Sequence, residues 1–74
     1  MGGDPMSHEH DQEPLLRYFH SDDLEPMLQT IGRQFDNLAQ LMVAELPRTA
    51  ERSAMLRKLV EARDCALRAK RYPI

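Results

Sequence analysis

A chain of 74 residues with a net charge of −2 has room for one small domain, which buries a smaller share of its surface than a domain twice its length. A single cysteine, Cys65, excludes an internal disulfide, and apolar runs of four residues or fewer fall far short of the roughly 20 residues a membrane span needs. With no secretory leader visible, a soluble protein of a reducing cytoplasm is expected, stabilised by close helix packing or self-association.

The first 14 residues, MGGDPMSHEHDQEP, hold glycines, prolines and acids without apolar periodicity, and are expected to form a flexible acidic tail. His8, Glu9 and His10 alternate on that tail with no fixed geometry, so no metal site is expected. The hairpin domain then spans residues 15–74. It opens with Leu15-Leu16-Arg17-Tyr18-Phe19, a short extended or single-turn segment expected to lie across the helices.

A first helix is predicted at about residues 22–46. Ser21, Asp22 and Asp23 offer caps, Asp22 with Glu25 has capping-box spacing, and Pro26 fits only the first turn. Leu24, Leu28, Ile31, Phe35, Leu38 and Met42 recur in steps of four and three, the spacing of one apolar stripe. Gly32 interrupts it at a cost of about 1 kcal/mol relative to alanine. Pro47 ends the helix, and the short link with Thr49 as N-cap implies an antiparallel neighbour.

The second helix is predicted at about residues 50–71, with Pro73 preventing continuation. Met55, Leu59, Ala62, Ala66 and Ala69 form a narrow face suited to the first helix. Leu56, Val60, Arg63 and Leu67 form a second face, left uncovered in a monomer and therefore the expected interface of an oligomer. The fold class is thus all-α, an antiparallel two-helix hairpin assembling into a helical homo-oligomer.

Charge is unevenly divided. Residues 1–23 carry six acids against Arg17, a balance of −5, whereas residues 47–74 carry eight cations against three acids, a balance of +5. Opposite charge on the two halves favours antiparallel or head-to-tail docking and also makes an anion site plausible. Arg48 and Arg52 lie beside the free amides of the second helix, where phosphate is favoured, while Arg68 and Arg71 complement its negative end. Arg57 adds another guanidinium suited to phosphate. Tyr18, Phe19 and His20 place three rings together just before the first helix. Core packing is their plainer role and stacking on a flat ligand the alternative. Cys65 has no histidine near it in sequence to act as base, no glycine-rich phosphate loop is present, and Asp22 and Asp23 read as helix-start residues. Neither an enzyme nor a bound cofactor is expected.

The run LPRTAERSAMLRKLVEARDCALRA resembles the second helix of phage anti-CBASS and Thoeris anti-defence hairpins, which act as cyclic-oligonucleotide sponges. The resemblance rests on Pro47, Thr49, Glu51, Ser53, Leu56, Lys58, Leu59, Glu61, Ala62, Ala66 and Ala69 in register, with Leu38-Ala39 and Phe19-His20 matching an earlier leucine-alanine and an aromatic-histidine pair. Asp36 stands where relatives that capture cyclic dinucleotides tend to carry lysine, and Arg33, one turn earlier, is the candidate substitute. The resemblance implies a homo-oligomer, such as a hexamer, in a bacterial host cytoplasm. It implies sequestration of cyclic di- or trinucleotides without cleavage, with Tyr18, Phe19, His20, Arg33, Arg48, Thr49, Arg52 and Arg57 as ligand-binding candidates. The competing reading is a structural or regulatory hairpin whose basic helix meets nucleic acid or an acidic protein.

Overall fold

The computed structural model describes residues 13–73. The tail up to residue 12, with His8, Glu9 and His10, lies outside the described residues, as does Ile74. The described chain runs from a 3-10 turn, Pro14–Tyr18, through helix α1, Pro26–Glu45, to helix α2, Ala50–Arg71. It is an all-helical hairpin, with the 3-10 segment packed on both helices.

The 3-10 turn begins with proline, whose missing N–H is no loss in a first turn, and the Glu13 side chain accepts a hydrogen bond from the Leu15 amide at 3.3 Å. Glu13, assigned above to the tail, is therefore part of the fold and is only 6% exposed.

Helix α1 starts four residues later than expected. Ser21 to Leu24 form a turn closed by the Leu24 amide on the Ser21 carbonyl at 3.1 Å. Pro26 takes the first helical position, and its N-cap Glu25 makes no side-chain capping bond. The expected Asp22–Glu25 capping box does not form, because the helix begins only at Pro26: Asp22 lies in the preceding turn, and the Glu25 side chain accepts from Arg71 instead. The helix ends where Pro47 forces the residue before it into extended backbone, with Leu46 at φ −104° and ψ 142°. Helix α2 follows the expectation closely: the Thr49 hydroxyl accepts from the Arg52 amide at 3.2 Å.

The helices meet along Leu28, Gly32, Asp36 and Ala39 on α1 and Arg52, Leu56, Arg63 and Leu67 on α2. Ala39 and Leu56 are both fully buried, the small side chain making room for the large one. Phe19 drops onto this pair from the turn after the 3-10 segment, and Leu15, Leu16, Phe35, Val43, Met55, Leu59 and Val60 pack, partly buried, around the cluster of three.

Two expectations are corrected here. Leu38, placed on the inner stripe, is 42% exposed; the contact line lies one position over, at Ala39. The faces of α2 are exchanged as well. Leu56, Arg63 and Leu67, expected to be bare in a monomer, point at α1 and the N-terminal segment, while Ala62 and Ala69 are exposed. The reason is Arg63, which turns inward because Asp36 waits for it there.

Candidate functional site

Two ion-paired arginines, eleven residues and so about three turns apart on α2, fix the chain around them. Arg63 Nε donates to Asp36 Oδ1 at 3.0 Å, and its Nη2 donates to the His20 carbonyl at 2.6 Å and to Ser21 Oγ at 3.0 Å. Ser21 Oγ in turn donates to Asp36 Oδ2, so serine, aspartate and arginine close a ring. All three are buried, at 4%, 8% and 6% exposure. Burial on this scale is tolerated because charge and hydrogen bonds compensate one another.

Arg52 does similar work at the other end. Its Nη1 donates to the carbonyls of Val43 and Leu46 at 3.2 and 3.1 Å, covering acceptors that the end of α1 leaves open, and its Nη2 meets Glu13 Oε1 at 2.9 Å. Burial alone would raise the Glu13 pKa. The hydrogen bonds from Arg52 and the Leu15 amide, with the positive charges of Arg52 and Arg48, outweigh it and hold the carboxyl below its ordinary value.

These geometries redistribute the expected ligand residues. Arg52, expected to hold phosphate, is 6% exposed and already holds Glu13 and two carbonyls. Phe19 is 3% exposed and belongs to the core. Thr49 caps α2. Arg33 lies on the exposed surface of α1 and donates to Gln29 Oε1 at 3.1 Å. His20 is exposed, with Nδ1 3.9 Å from Asp23 Oδ2. Arg48 lies at the helix turn, lining a cleft of about 510 Å³ floored by Leu16, Val43 and Ala44.

Tyr18 and Arg57 are brought together. They line one shallow depression of about 260 Å³ with Leu15, Val60 and Glu61. Tyr18 is 44% exposed, and the Arg17 guanidinium sits 5.0 Å from its ring centre while donating to its hydroxyl at 3.0 Å. An exposed ring beside two guanidinium groups over an apolar floor can stack a base and neutralise a phosphate.

Sequence reasoning passed over Glu13, Ser21 and Asp36 as parts of these networks. Asp36 and Arg63 did carry a signal: each is a charge set among apolar residues on an inner helical face, and their signs are opposite. Glu13 and Arg52, 39 positions apart, have no local signature. Comparison of the chain with protein-family models, with curated proteins and with solved structures gave no match.

Proposed function

We propose that this chain is a phage-type anti-defence protein that binds a cyclic nucleotide immune signal and sequesters it without cleaving it, as a homo-oligomer in the host cytoplasm. The observation that carries the reading is the meeting of Tyr18 and Arg57 in one depression, reached from two different elements. Its volume of about 260 Å³ is below the roughly 300–1,000 Å³ of small-molecule sites, which fits a half-site completed by a neighbouring copy. In this reading a base stacks on Tyr18, Arg17 and Arg57 hold phosphate oxygens, and Glu61 accepts from a ribose hydroxyl or base amino group. The register of α2 with the anti-CBASS and Thoeris hairpins supports the same ligand class.

Calorimetric titration against cyclic di- and trinucleotides tests it. One member of the panel should bind and be recovered chemically unchanged after denaturation. Tyr18→Ala and Arg57→Ala should each cost about 1–3 kcal/mol of binding with little change in melting temperature, since both side chains are exposed. If no cyclic nucleotide gives heat, while single-stranded nucleic acid binds with affinity falling steeply in salt, the basic helix serves nucleic acid instead.

A further inference from the structure

The hairpin has two sides, and the 3-10 segment covers only one. At 100° per residue, Val43, Gln40 and Asp36 of α1 turn toward that segment, and Phe35, Leu38 and Met42 turn away from it. On α2, Val60 and Arg57 share a depression with Leu15 and Tyr18, which places Met55, Leu59 and Ala62 on the opposite side. This uncovered side is apolar on both helices. On α2 it forms a depression floored by Ala54, Met55, Leu59 and Ala62 and edged by one acid and one base, Glu51 and Lys58.

We propose that this face receives a second copy of the same chain, with the two α2 helices antiparallel across a two-fold axis near Met55. The inference rests on the self-association in the proposed function and assigns it a surface. The charges argue for a copy of the chain as the occupant. Among the described residues, Glu51 and Lys58 have no ion-pair partner within the chain. Seven residues apart, they share one helical face, and an antiparallel copy centred between them sets each Glu51 against the other chain's Lys58. Two equivalent ion pairs then flank a centre of Met55 and the small Ala54, which lets the helices approach closely. Met42, which the Arg52 and Arg63 contacts place level with that centre, adds α1 to the buried surface, and the result is a four-helix core in place of a two-helix layer.

Light scattering of the full chain should give an even multiple of 8.6 kDa. Leu59→Glu should reduce that mass at least two-fold. Because Leu59 also touches the core, two exposed substitutions make the decisive comparison. Glu51→Lys, which sets lysine against lysine, should reduce the mass to the same extent, and adding Lys58→Glu should restore it. An oligomer whose mass none of these variants changes would overturn the assignment of this face and leave self-association itself standing. A wild-type chain that stays monomeric at tens of micromolar would overturn the interface and the shared site together. Nucleotide titration of that monomer would still decide the binding reading separately.

Discussion

Glu13 shows how one residue ties chain ends to folding. Its carboxyl is held below its ordinary pKa of 4.5 in the folded state, so folding favours the ionised form. For a group whose folded pKa is depressed, the stabilisation is fully present above the unfolded value and is lost as pH falls through the folded one. Glu13→Gln should therefore lower stability by about 1.5–3 kcal/mol at neutral pH, the range for a hydrogen bond to a charged group. The gap between variant and wild type should close as pH drops below 4.5. Urea melts at several pH values check this, and a gap that stays constant into acid would show that the ion pair contributes nothing. Gly32 makes the opposite point about local rules. Helix propensity alone rates Gly32→Ala a gain of about 1 kcal/mol. A methyl group there would run into Ser21 Oγ, lie 2.7 Å from Leu24 Cδ1 and press on Arg63 Nη2 at 3.3 Å. Leu24 can swing away, but Ser21 is held by Asp36 and Arg63. The substitution should lower the urea midpoint, and a rise would show that the ring of hydrogen bonds yields easily.

At the scale of elements, the two helices begin in different ways. Helix α2 has a side-chain cap in Thr49, a glutamate in its first turn, and Arg68, Lys70 and Arg71 in its last, all matching its dipole. Thr49→Ala should cost about 1 kcal/mol, read as a lower melting temperature by circular dichroism at 222 nm. No change would mean that Glu51 and the link already hold the first turn. This local completeness explains why α2 was legible from sequence at both ends and α1 only at its C-terminal end. The serine and acids before α1 are ordinary capping residues, and nothing nearby reveals that Ser21 is claimed by an aspartate 15 positions on and an arginine 42 positions on. The same limit applies to the candidate site. The aromatic trio and the arginines were visible as types, but which ring is buried and which cation is committed depends on partners far away in the chain. Tyr18 and Arg57 survive as a pair because neither is drawn into the interior.

For the whole molecule, the basic stretch proves in part to be internal fastening. Arg52, Arg63 and Arg71 each pair with an acid from outside α2, namely Glu13, Asp36 and Glu25. The buried pairs matter most, since exposed ones such as Arg71 with Glu25 contribute little. A fragment beginning at Pro26 would keep both helices but lose Glu13, Phe19, the Ser21 hydroxyl and the His20 carbonyl, and with them the counter-ion of Arg52 and two acceptors of Arg63. It should remain largely helical and unfold in urea as a broad, shallow transition. A transition as sharp as that of the full chain would show the N-terminal segment to be dispensable.

The span of these pairs also bears on the order of events during synthesis. Glu13 leaves the ribosome 39 positions ahead of Arg52, and Asp36 leaves 27 positions ahead of Arg63. Until α2 has emerged, α1 has nothing to bury its apolar side against, and the acids have only water for company. The nascent chain is then a negatively charged polymer with one incipient helix, kept apart from its neighbours by like charge. Closing up must wait for Arg52 and Arg63, so native packing begins only once α2 has been made.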